Sequence, residues 1–153
     1  MVRLADTDEA LRKHLLALEC PEYEEESWTA APPPAERRVA LISTAGLHRR
    51  GDRPFGIGAD DYRVIPGDLP ASELVMSHVS TNFDRTGFQQ DLNVVLPVDR
   101  LNELAEAGEI GSVASYHYSF MGATDPAQME PVARRLAGLL KQDGVNTVVL
   151  LPV

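Results

Sequence analysis

The chain has 153 residues, 44% of them apolar and 24% charged, and its 14 Lys+Arg against 23 Asp+Glu give a formal net charge of -9. That length is one domain's worth and can bury a sizeable core. The negative balance argues against nucleic acid and against an anionic membrane surface as partners.

Cys20 is the only cysteine, which excludes an internal disulfide and fits a reducing compartment. No leader-like N-terminus and no apolar run of about 18 residues is present, so the chain reads as cytoplasmic. Thr7 or Asp6 can cap a first helix whose Ala10, Leu11, Leu15 and Leu18 follow helical spacing to about Glu19. Pro21 stops it. Cys20, with no basic neighbour in sequence, reads as a buried or incidental thiol. Glu22, Glu24, Glu25 and Glu26 read as a solvated acidic face, Trp28 as a packing anchor, and residues 29–36, with Pro32, Pro33 and Pro34, as a stiff linker. Residues 1–36 are therefore read as a docking helix plus linker, and residues 37–153 as one α/β domain.

Within that domain RVALIS, residues 38–43, suits a strand buried on both faces, followed by a loop from Thr44 through His48, Arg49, Arg50 and Arg53. Gly56 and Gly58 form no phosphate-binding fingerprint, since neither opens a helix after a strand. YRVIP, residues 62–66, and residues 74–77 read as further short strands. Residues 77–100, SHVSTNFDRTGFQQDLNVVLPVDR, then hold His78, Asn82, Asp84, Arg85, Gln89, Gln90 and Asp91 between two apolar runs that read as strands, the second at 93–96. This is more polarity than a turn needs, and it is read as the floor of a site. Asp99 can cap a helix with Leu101, Leu104 and Ala105 on one face and a stop at Gly108. A strand at 113–116 delivers His117, with Tyr116, Tyr118 and Phe120 mixed between core and rim. Asp125 with Pro126 opens a second long helix that ends at Gly144. VNTVVLL, residues 145–151, is the last strand, an edge in want of a neighbour.

Strands alternating with helices predict an α/β fold with a mainly parallel sheet and flanking helices, Rossmann-like or flavodoxin-like, in a single domain with an N-terminal helical extension. If the strands ending near Ser43, Ser77 and Tyr116 are parallel neighbours, His48, His78 and His117 emerge at one sheet edge, where such folds place ligands. Together with Asp84 and Asp91 they could form a metal site, although no short-range ligand pattern is present. They could equally move protons on a small anionic substrate held by Arg49 or Arg85, with Asn82 beside it. Ser43, Ser77 and Ser80 lie near histidines without a nucleophile elbow, which argues against a serine hydrolase.

The segments VALISTAGLHRRGDRPF, DYRVIPGD, DLNVVLPVDRLNELAEAGEIGSVASYHYSFMGA and ARRLAGLLKQDGVNTVVLLPV occur here in collinear order. On these the chain resembles the glycine/sarcosine/betaine reductase component B and D-proline reductase selenoprotein family. The resemblance implies a subunit of a dithiol-dependent reductase that cleaves a carbon–nitrogen bond of an amino acid or amine, working with other reductase subunits. It also implies a selenocysteine or cysteine after the strand that ends here in LLPV, and a pyruvoyl group on a partner polypeptide. Neither group is in this chain, so the resemblance leads to the expectation of a selenocysteine after Val153, encoded by an in-frame UGA. Two other readings stand beside the reductase component with catalytic His48, His78, His117, Asp84 and Asp91. One is a non-catalytic binding or assembly subunit on the same scaffold; the other is a metal-dependent enzyme using the three histidines.

Overall fold

The structure is a computed structural model and describes residues 3–18, 29–80 and 85–153. Cys20, Trp28, the acidic run at 22–26, Asn82 and Asp84 lie outside the described residues.

The first helix, α1 (Glu9–Leu16), is capped by Asp8, whose carboxylate accepts the Leu11 N–H, and not by Asp6 or Thr7. None of its residues is buried, and Leu11, Leu15 and Leu16 face solvent. The domain begins at β1 (Arg38–Ser43), where Val39, Ala40, Leu41 and Ser43 are all buried, as a strand covered on both faces should be. It pairs in parallel with β7 (Thr147–Leu151) on one side. On the other side it pairs in parallel first with β5 (Ser112–Val113) and then with β6 (Tyr116–Ser119). The strand β3 (Arg63–Pro66) runs antiparallel beyond β6. The fold is thus α/β with a largely parallel sheet, as expected.

Two features depart from the sequence reading. The apolar run at 74–77 does not join this sheet: β4 (Leu74–Met76) pairs antiparallel with β2 (Leu47–Arg49) as a separate two-stranded sheet, so His48 lies in a strand and not in a loop. The run at 93–96, bracketed by Asp91 and Pro97, forms a 3₁₀ turn at Leu92–Val94 instead of a strand. A short helix, α2 (Thr86–Gln90), occupies part of the polar stretch before it. Helix α3 (Val98–Glu106) starts one residue before Asp99, whose N–H is taken by the Asn93 side chain at 3.2 Å, and Gly108 follows in the left-handed region.

Helix α4 (Pro126–Gln142) is capped by Asp125 and lies over Ala40, Tyr118 and Phe120 with Leu136 and Leu140. The opposite face packs Val39 and Leu41 against Leu47, Ile65, Leu74, Leu96 and Leu101. Each such large apolar side chain contributes about 1.5–3 kcal/mol on full burial. Arg38 ties the layers together, donating to the Asp143 carboxylate at 3.0 Å, the Asp143 carbonyl at 2.7 Å and the Val113 carbonyl at 2.9 Å. At β7, by contrast, Val148, Val149 and Leu150 remain 38–70% exposed.

Between β5 and β6 the register to β1 slips by two residues, at Ala114 and Ser115. A slip of this kind leaves a strand amide without its rung. Here the Leu41 N–H donates instead to Nδ1 of His117, at 3.1 Å, and the ring is fully buried. Burial pushes the His117 pKa down to about 4. The unfolded chain binds this proton near 6.5, so between pH 6.5 and pH 4 the unfolded state takes up more protons and stability falls as pH falls. Denaturant unfolding across that window should show a loss on the order of 3 kcal/mol, and His117→Gln, which keeps an acceptor for Leu41, should flatten that slope.

Candidate active site at the carboxyl edge of the sheet

Because β1, β6 and β7 are parallel, their carboxyl ends come out at one edge, and Thr44 is the residue at which they meet. Its N–H donates to the Leu151 carbonyl at 3.0 Å, and its carbonyl accepts the Gly122 N–H at 2.9 Å. Its Oγ1 accepts the Val153 N–H at 2.8 Å and lies 3.3 Å from the Val153 carbonyl. The local reason is chemical. Pro152 has no N–H, so it can add no donor to the β1–β7 ladder. The Thr44 carbonyl is already engaged by Gly122, and the side chain takes the next donor, Val153. A β-branched hydroxyl residue suits this duty because its χ1 is restricted.

His78 reaches the same edge from the small β2–β4 sheet. The chain passes so close to Gly46, φ +67°, that a Cβ there would stand 3.0 Å from the His78 backbone nitrogen. Nδ1 of His78 accepts the Ser80 N–H at 3.1 Å, so the neutral ring carries its hydrogen on Nε2. Arg85 secures this loop, with Nη2 at 2.7 Å from both the His78 and Ser80 carbonyls. The His78 pKa is lowered, first by burial and then by the Arg85 charge. At neutral pH the ring is therefore an uncharged N–H donor.

Gly122 marks where these groups converge. A Cβ there would lie 2.5 Å from the Val153 carbonyl oxygen, 2.9 Å from Thr44 Oγ1 and 3.0 Å from His78 Nε2. Its φ is outside the left-handed region, so the glycine is required for room and not for conformation. Next to this point Thr44, Phe120, Pro126, Met129 and Ala133, with Glu130, line an apolar groove of about 320 Å³.

The three histidines do not share this edge. His117 is the second residue of β6, opposite Ile65, and its Nδ1 serves Leu41. His48, in β2 opposite Val75, sets Nδ1 2.8 Å from the Arg49 carbonyl. The geometric condition for their convergence is not met, because β4 is antiparallel and outside the main sheet, and because Tyr116 begins a strand instead of ending one. Among the described residues no group of three or more His, Cys, Asp or Glu is arranged to hold a metal ion. Asp91 is exposed and accepts from the Asn93 backbone and side chain, which lowers its pKa. Arg49 is exposed, and Arg50 donates to the Ser72 carbonyl. Ser43 and Ser119 are buried acceptors for the Ala45 and Leu47 amides at 3.2 and 2.8 Å. Thr44 and Gly122 escaped the sequence reading, although each directly or closely follows a strand run and Pro152 announces the end of backbone pairing.

The family model of glycine/sarcosine/betaine reductase selenoprotein B matches residues 62–152. The chain is 33% identical over 115 residues to the D-proline reductase subunit gamma of Acetoanaerobium sticklandii, covering 73% of this chain and 47% of the relative. It is 31% identical over 119 residues to the glycine reductase complex component B subunit gamma of Carboxydothermus hydrogenoformans, with 73% and 27% covered. It is 34% identical over 77 residues to the betaine reductase complex component B subunit beta of Peptoclostridium acidaminophilum, with 50% and 18% covered. The chain thus spans less than half the length of these relatives. No solved structure matches it.

Two glycine substitutions should separate room from propensity. Gly122→Ala forces a Cβ against backbone and should cost about 1–3 kcal/mol in denaturant unfolding. Gly138→Ala, in α4 with nothing within 4 Å of the added carbon, should instead gain about 0.5–1 kcal/mol.

Proposed function

The chain belongs to the glycine/sarcosine/betaine reductase selenoprotein B family, and from that membership we propose that it is a component of a reductase complex cleaving a carbon–nitrogen bond of a small amino acid or amine with dithiol reducing equivalents. The observation that carries this reading is the meeting of Thr44, His78 Nε2 and Gly122 at Val153. In this reading a selenocysteine or cysteine comes after Val153 and supplies the nucleophilic redox chemistry, and a pyruvoyl group on a partner activates the substrate.

The residues present suit a selenolate or thiolate. Nε2–H of His78 is a neutral donor for an anion, and the Arg85 guanidinium, bonded to the carbonyl of the same histidine, adds positive charge nearby. Thr44 holds the backbone that leads to the reacting residue. Gly122 lets these groups approach one another, since a Cβ there would collide with the Val153 carbonyl oxygen. The apolar groove that shares Thr44 can take the hydrocarbon part of a small substrate. For a partner subunit, β7, which among the described residues pairs only with β1, offers the exposed apolar side chains Val148, Val149 and Leu150.

A second reading, an assembly subunit without redox chemistry of its own, is favoured by one observation: the only cysteine is Cys20, far in sequence from Val153. The two readings part in an assay of the complex isolated with its native partners, supplied with a dithiol and, in turn, glycine, sarcosine, betaine and D-proline. At least one should be reduced, and His78→Gln should lower kcat by about 100-fold or more. Undiminished turnover in the His78→Gln complex, or no turnover of any of the four, contradicts the proposed role.

A further inference from the structure

We infer that the cavity between the end of β3 and the start of α3 is a second binding site, for a small protonated amine with a hydrocarbon body. It opens where Pro66 faces Tyr116, the first residue of β6, and neither Thr44 nor Val153 is among its walls. Its volume is about 220 Å³. A dry cavity of about 150 Å³ takes benzene, so this one has room for about six to nine heavy atoms. Ile65, Leu74 and Leu96, all buried, line its apolar side. Asp68, Asp99 and Asn102, all exposed, line its polar side.

The charge of this lining is one-sided. Two carboxylates border the cavity and, among the described residues, no Lys, Arg or His does. Asp99 is held by one side-chain bond, its Oδ2 accepting from Asn93 Nδ2 at 2.9 Å. The nearest cation in sequence, Arg100, is engaged with Glu103 at 2.7 Å. Two carboxylates beside an apolar wall favour a ligand that is positive at one end and apolar at the other, and the Asn102 carbonyl can accept a further ammonium hydrogen. A metal ion is a poorer match. Among the described residues no group of three or more His, Cys, Asp or Glu is arranged to hold one, and a hydrated ion would leave the apolar wall uncovered.

The test is a proton–nitrogen correlation NMR titration of the full chain with pentylammonium chloride at constant low ionic strength. Saturable shifts should appear at the amides of Asp68, Leu96, Asp99 and Asn102, with a Kd of about 0.1–10 mM, the range open to so few atoms. 1-Pentanol, similar in shape but without the charge, should bind at least about fivefold more weakly. Norvaline should also bind more weakly than the amine, because its carboxylate would meet carboxylates. Asp68→Asn, on an exposed side chain, should raise the Kd for pentylammonium about threefold to tenfold and leave that for pentanol unchanged. The absence of saturable shifts at these amides overturns the inference, as does equal affinity for pentanol or norvaline, or an unaltered Kd in Asp68→Asn. Displacement of the amine by magnesium or calcium at lower concentration would mark a metal site and overturn it too. Should Asp68→Asn fail to fold, the comparison of amine with alcohol on the unaltered chain still decides. The readout is binding and not turnover, so this site stands or falls apart from the reductase reading.

Discussion

A parallel sheet can be extended only while neighbouring strands supply donors and acceptors in step, and on the β1–β7 side that sequence of rungs is interrupted at Pro152. Thr44 carries the pairing one residue further. Its amide, carbonyl and hydroxyl each bind a different part of the two flanking strands, Leu151, Gly122 and Val153. Each bond is worth only about 1 kcal/mol net. Their value lies in geometry, since three chain segments are held to one residue at the edge where α/β folds present their chemistry.

The small β2–β4 sheet matters because it brings His78 to that edge from outside the main sheet. Gly46 allows the close backbone approach, Ser80 selects the tautomer and Arg85 pins the loop by its carbonyls. His117 shows the other use of the same side chain. It repairs the amide left over by the two-residue slip between β5 and β6, and burial keeps it neutral down to about pH 4. One histidine completes the scaffold and another turns Nε2 toward Gly122 at the sheet's carboxyl edge, although both follow or lie within strands.

Much of the architecture was legible because it is written in local chemistry. RVALIS reads as a strand buried on both faces, Asp125-Pro126 as a helix start, and Gly108 and Gly144 as helix stops, and the structure has each of them. Partner choice between strands was not legible. An apolar triplet such as Leu74–Met76 does not say which sheet it joins or in which direction, so the expected convergence of three histidines had no local warrant. The strand expected at 93–96 gave way to a 3₁₀ turn because Asp91 and Asn93 offer side-chain hydrogen bonds that compete with a ladder. Thr44 and Gly122 were missed for a related reason. A hydroxyl that replaces a backbone rung, and a glycine that leaves room for three segments, gain meaning only once the strands are set side by side.

The identity of the residue after Val153, in the protein as the native host makes it, bears most directly on the reductase reading. Intact mass and selenium content of the isolated protein measure it independently of activity. A mass above the 16.7 kDa of this chain, with about one selenium per chain or a cysteine directly after Val153, is the predicted result. A mass of 16.7 kDa without selenium would contradict it, and the edge built around Thr44 and His78 would then serve an assembly subunit.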